Sequence, residues 1–209
     1  PMQHKTIIEP FRIKSVEPIG RSTEKELIGL LKEAHYNPFL LRSRDVIIDL
    51  MTDSGTSAMS AHQWAGIMEG DEAYAGSRSW LRMENEVQDL TGMQFILPTH
   101  QGRAAERIVY GHLGGPGKVF ISNTHFDTTR ANIEFSGATA IDIPISEGED
   151  TALLHPFKGN MDVGELDRLL KEHKGHIGAV ILTVTNNSGG GQPVSLANAE
   201  GVSAICKRH

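Results

Sequence analysis

Leu27, Leu30, Leu31 and Ala34 recur at helical spacing behind Ser22-Thr23-Glu24-Lys25-Glu26, a capping box with Thr23 as N-cap and Glu26 at the third helical position. The pattern predicts a helix from residue 24 that Asn37-Pro38 stops, then a β-branched strand over 46–50. A helix through 84–90, ended by Gly92, leads to a second strand at 94–97 and to helical composition again over 104–110. Beyond it the spacing predicts strands at 119–122, 140–143 and 177–185, and helices over 128–135, 162–173 and 195–207. Leu166, Leu169 and Leu170 form an inward helical face, and 177–185 is the most convincing buried strand. Strands alternating with helices imply an α/β fold with a largely parallel sheet.

The 209 residues admit one or two domains with a sizeable core. Twenty Lys and Arg against 26 Asp and Glu leave a net charge of −6, so the chain lacks the basic footprint that grips phosphate backbones, and no nucleic-acid partner is expected. The single Cys206 allows no intrachain disulfide and suits a reducing compartment. The longest apolar runs, such as Ala179-Val180-Ile181-Leu182, are too short for a membrane span, and the first residues lack a signal-peptide core. The expectation is a soluble, cytoplasmic chain with no membrane partner.

Gly114-Gly115-Pro116-Gly117-Lys118 fails as a phosphate loop, because Val119 follows the lysine and a strand comes next; it reads as a turn. His173 and His176 straddle a helix end and read as surface residues, and no Gly-x-Ser-x-Gly elbow occurs. Thr99-His100-Gln101-Gly102-Arg103 is more informative, lying between an expected strand and helix where unpaired backbone N–H groups favour an anion. Gly102 permits close approach, Gln101 adds donors and Arg103 can pair with phosphate oxygens, although alone the pattern also fits a turn with a surface arginine. Asn186-Asn187-Ser188-Gly189-Gly190-Gly191-Gln192-Pro193 follows the best strand, at the edge where open α/β sheets bind ligands, and alone it also fits a tight crossover.

Longer motifs run in order along nearly the whole chain: Glu9-Pro10-Phe11-Arg12-Ile13, Asn37-Pro38-Phe39-Leu40-Leu41, Leu50-Met51-Thr52-Asp53-Ser54-Gly55-Thr56, Gly70-Asp71-Glu72-Ala73-Tyr74-Ala75-Gly76-Ser77, Pro98-Thr99-His100-Gln101-Gly102-Arg103, Phe126-Asp127-Thr128-Thr129, Phe157-Lys158-Gly159-Asn160 and Gly190-Gly191-Gln192-Pro193-Val194-Ser195. Together they resemble the β-eliminating lyase family, the tryptophanases and tyrosine phenol-lyases. The resemblance implies a pyridoxal 5'-phosphate enzyme of the aspartate aminotransferase fold type I. Residues 1–50 would form an N-terminal arm and small-domain segment, and 51–209 the front part of a cofactor-binding large domain.

By matched position, the resemblance implies that Gln101, Gly102 and Arg103 hold the cofactor phosphate, Phe126 stacks on the pyridine ring and Asn187 hydrogen-bonds its phenolic oxygen. It places Thr52 near the substrate carboxylate, Tyr74 as the acid that protonates the departing aromatic carbon from across a subunit interface, and Glu106 behind the phosphate loop. The Gly55 carbonyl and Glu72 match positions that bind an activating monovalent cation, K+. The residue after the stacking phenylalanine is threonine in the phenol-lyases and aspartate in the tryptophanases; here it is Asp127, which can accept an indole N–H. Tryptophan, cleaved to indole, pyruvate and ammonia, is therefore the expected substrate. Trp64-Ala65-Gly66 with Met68 and Gly70 leans toward tyrosine, and Ala104 replaces a glycine usual in both branches.

The family's Schiff-base lysine stands in a Ser-x-Lys-Lys segment, and none occurs in residues 1–209. The partners of the pyridine nitrogen and of the substrate carboxylate are also missing. The chain is therefore expected to catalyse elimination only with a C-terminal-half polypeptide that carries the lysine, in a homo- or hetero-oligomer. A fragment of a longer chain is the alternative origin of the terminus at His209. A non-catalytic scaffold or assembly module is the alternative function, against which the complete set of cofactor residues weighs.

Overall fold

The computed structural model describes residues 20–49 and 59–209, and the chain divides into two compact units, Pro1–Asn85 and Glu86–His209. In the first, helix α1 (Glu24–Glu33) starts from the expected box: Thr23 N–H donates to Glu26 Oε2 at 2.7 Å and Glu26 N–H to Thr23 Oγ1 at 3.4 Å. Helix α2 (Ala61–Glu69) starts from a second box, Ser60 with Gln63, that the sequence reading passed over. The strand expected over 46–50 does not form in its described part. Residues 46–49 are irregular after a 3-10 turn, Ser43–Asp45, and no strand among the described residues of this unit is available to pair with them. Helix α3 (Arg78–Thr91) carries the chain across the boundary and stops at Gly92, whose φ of 71° suits the glycine.

Residues 94–97 likewise form no strand: the segment is unpaired, with Phe95 and Leu97 exposed. Helix α4 (Gly102–Leu113) and a glycine turn then lead into β1 (Val119–Ser122), α5 (Asp127–Phe135), β2 (Thr139–Asp142), the single turn α6 (Ser146–Glu149), α7 (Val163–Glu172), β3 (Ile177–Ile181) and α8 (Leu196–Arg208). The three strands are parallel, in the order β2-β1-β3, with Ile121 level with Ile141 on one side and Val180 on the other. Alternate strand residues face opposite ways, so β1 serves two cores. Val119 and Ile121 pack with Met161, Leu166, Leu169, Leu170, Val202 and Ile205, whereas Phe120 packs with Tyr110, Ile133 and Ala138. Helices α7 and α8 thus cover one face of the sheet, and α4 and α5 the other.

Gly178 is required where it stands, since a Cβ there would lie 2.4 Å from Phe120 Cζ. β3 is shorter than expected because Thr183 N–H donates to the Asn123 side chain, at 2.8 Å, instead of continuing the ladder. Among the described residues, no helix is long and apolar enough to cross a membrane, and no group of three His, Cys, Asp or Glu is arranged to hold a metal ion.

Candidate functional site

The connections leaving the C-terminal ends of β1 and β3 are fixed by buried polar side chains. Asn123 donates to Gly159 O at 2.8 Å and to Thr183 O at 3.0 Å, joining three segments distant in sequence. His125 has its Nδ1 2.6 Å from Asp142 Oδ1, and its backbone N–H donates to the same oxygen at 2.7 Å. Arg130 occupies the other oxygen, at 2.5 Å. Burial pushes the Asp142 carboxyl up, but the hydrogen bonds from His125 and Arg130 outweigh it and hold the group below the ordinary aspartate value. Asn186 donates to His125 O at 3.1 Å, so the turn after β3 is tied to the residue that precedes Phe126.

Beside these loops a cleft of about 370 Å³ is lined by Gln101, Gly102, Arg103, Glu106, Phe126 and Thr128. It opens at the start of α4, where Gln101 is the N-cap and makes no side-chain capping bond. The first intrahelical bonds run from Ala104 and Ala105 to Gln101 O, which leaves the N–H groups of Gly102 and Arg103 without partners among the described residues. A Cβ on Gly102 would meet nothing within 4 Å, so packing of the protein itself does not demand a glycine; open space for a close ligand does. Uncommitted amide donors, a guanidinium and an aromatic ring around one opening are a donor set that fits an aromatic phosphate ester such as pyridoxal phosphate.

On the far wall, Glu106 accepts from Thr128 Oγ1 at 2.7 Å and also from Thr129 Oγ1. Burial, and next the Glu106 charge, push the Tyr110 hydroxyl up. Asp127 is the first residue of α5, exposed, with its carboxylate accepting from Thr128 N–H at 2.5 Å.

Four expected cofactor residues, Gln101, Gly102, Arg103 and Phe126, therefore share one cleft. Asn187 opens a 3-10 turn, Asn187–Gly189, and is exposed rather than part of that lining. Glu72 and Tyr74 belong to the other unit and are exposed in the loop before α3. That loop is anchored by Asp71, which accepts from Ser79 Oγ, Ser79 N–H and Arg78 N–H; these bonds, the Ser79 hydroxyl first, hold its carboxyl far below the usual range. Thr52 and Gly55 lie outside the described residues. Asn123, His125 and Asp142 carry no signal in the local sequence, because the side-chain bonds that join them to other segments span 12 to 60 positions; Asn186 stands in the segment singled out after the best strand, but its bond to His125 O, 61 positions away, is not legible there.

The fold is that of the pyridoxal-phosphate-dependent enzymes. A chain of the solved SepCysS–SepCysE N-terminal domain complex matches 70% of this chain and 38% of its own length, with a TM-score of 0.50 at 17% identity. The Beta-eliminating lyase family model matches residues 49–209. Tryptophanases of Hyphomonas neptunium and Rhodobacter capsulatus are 58% and 57% identical over 205 residues, 98% of this chain and 45% of theirs. Tyrosine phenol-lyase of Pasteurella multocida is 48% identical over 206 residues, 96% of this chain and 44% of its own. This chain belongs to the β-eliminating lyase family. It spans about 45% of the length of these curated relatives.

Proposed function

We propose that these residues form the phosphate-binding and ring-contacting part of a pyridoxal-phosphate-dependent carbon–carbon lyase that cleaves L-tryptophan to indole, pyruvate and ammonia. The observation that carries this reading is the cleft at the start of α4, where Gln101, Gly102 and Arg103 meet Phe126. The N–H groups of Gly102 and Arg103, with the Arg103 guanidinium and the Gln101 amide, would bind the phosphate. Phe126 would cover the pyridine ring and keep water from it, and Asn187 would donate to the phenolic oxygen. When bound, the cofactor supplies the electron sink for the electron pair left at the substrate Cα. Tyr74 would deliver a proton to the ring carbon at which the bond breaks, Thr52 would orient the substrate carboxylate, and Gly55 with Glu72 would hold K+. The lysine that the chemistry requires must come from outside residues 1–209, within an oligomeric enzyme.

Asp127 and the higher identity to tryptophanases than to the phenol-lyase favour tryptophan. A carboxylate at that position would accept the indole N–H and fix the ring for protonation. In the complete enzyme, Asp127→Ala is expected to lower kcat/KM for tryptophan by at least about tenfold, or 1.4 kcal/mol. Turnover of β-chloroalanine, which carries no ring N–H, should fall less. Undiminished indole formation by Asp127→Ala would overturn the tryptophan pocket. Tyrosine is the second reading, favoured by Trp64-Ala65-Gly66, and phenol release from tyrosine faster than indole release from tryptophan would establish it.

A further inference from the structure

Glu106 puts a negative charge in the wall of the cleft that is built to hold an anion, and it stands at i+3 from Arg103 on α4. At that spacing a free carboxylate reaches the guanidinium and pairs with it. It does not do so here. Oε2 of Glu106 accepts from Thr128 Oγ1 at 2.7 Å, and Oε1 accepts from the buried Thr129 Oγ1. Among the described residues, no carboxylate comes within 4.0 Å of the Arg103 guanidinium.

We propose that Thr128 and Thr129 are positioning residues for phosphate recognition: their hydroxyls hold the Glu106 carboxylate against the first turn of α5 and so keep Arg103 open to a phosphate monoester. The inference rests on the reading of this cleft as the cofactor phosphate site. Threonine suits the task physically. Its branched Cβ leaves few rotamers, which aims the hydroxyl at little entropic cost, and two neutral donors satisfy both carboxylate oxygens without adding a cation that would compete with Arg103 for the phosphate. The same pair of bonds joins α4, which begins with the phosphate donors, to α5, which begins directly after Phe126.

The test is binding of pyridoxal 5'-phosphate and of inorganic phosphate to the cofactor-free form of the complete enzyme, with pyridoxal, which lacks the phosphate, as the control. The double variant Thr128→Val/Thr129→Val removes both hydroxyls at nearly constant volume and frees Glu106 to pair with Arg103. Its affinity for both phosphate-bearing probes should fall about tenfold, the scale of one charge-assisted contact, while pyridoxal is held as before. Adding Glu106→Gln to the double variant should restore phosphate affinity, because a neutral amide cannot neutralise the guanidinium. That rescue is what mere structural damage cannot produce. Should the double variant not fold, Thr128→Val with and without Glu106→Gln carries the same comparison. Unchanged phosphate affinity in the valine variant, an equal loss for pyridoxal, or a loss that Glu106→Gln fails to restore would each overturn the proposal. A wild-type enzyme that binds no pyridoxal phosphate would instead overturn the reading of the cleft itself.

Discussion

The two units use the same local devices and reach different degrees of burial. In Pro1–Asn85, α1 and α2 both begin with complete capping boxes, yet neither contains a buried residue, and Ala34 at the end of α1 is the one buried apolar residue described there. Leu27, Leu30 and Leu31 instead line a shallow cleft with Leu41, Val46 and Ile47. In Glu86–His209, by contrast, Phe120, Ile121, Ile133 and Leu166 are wholly removed from water. Caps act across three residues and need nothing else; a core needs apolar faces brought together from far along the chain, and here the parallel sheet supplies that framework. The candidate cleft is built on this framework, with Phe126 and Thr128 in the connection and helix that follow β1.

The strongest way to break the contrast is to truncate one phenylalanine in each unit. Phe120 is fully buried and meets Tyr110 edge to face, with ring centroids 5.4 Å apart, so Phe120→Ala should cost about 3–5 kcal/mol. Phe39 is 80% exposed, and Phe39→Ala should change stability by no more than about 0.5 kcal/mol. Chemical denaturation of the whole protein measures both. An equal cost for Phe39→Ala would mean that polypeptide outside these residues covers it, and the contrast would then belong to this segment alone.

Asp142 offers a smaller effect, confined to the sheet-based unit. Asp142→Asn weakens the hydrogen bonds that hold His125 and Arg130, and about 1.5–3 kcal/mol is expected at neutral pH, the scale of hydrogen bonds to a charged group. The pH dependence has a definite sign. The folded-state value is lowered from 3.8, so the stabilisation is present above that value and is lost as pH falls through the lowered one. The stability gap between wild type and variant should therefore shrink below about pH 4. A gap that widens below about pH 4 would show that the carboxylate is not the stabilised form.

What could be read from the residues divides along the same line. Three helix ends were legible within a residue or two, at Thr23 before α1, Gly92 after α3 and Ser195 before α8, whereas the capped helix α2 and the start of α3 at Arg78 were not. Strands were legible only where partners existed. Residues 119–122 and 140–143 pair much as their β-branching implies, whereas 46–49 and 94–97 carry similar composition and stay unpaired. At the site, the contiguous run Gln101-Gly102-Arg103 could be recognised because one helix start presents it. The His125–Asp142–Arg130 cluster and the Glu106–threonine bonds could not, since each joins side chains from different elements that only the folded sheet brings together.

The smallest effect tests whether capping is as local as the comparison holds. Thr23→Ala removes the side-chain acceptor for Glu26 N–H and the hydroxyl bond to the Glu26 carboxylate, at a cost of about 1 kcal/mol to α1. Thr23→Ser keeps that oxygen and should recover most of the loss. Amide hydrogen exchange separates the consequences: the first turn of α1 should exchange faster in Thr23→Ala, while the amides of β1 remain as protected as in the wild type. Faster exchange at Phe120 or Ile121 as well would mean that α1 stability is coupled to the sheet.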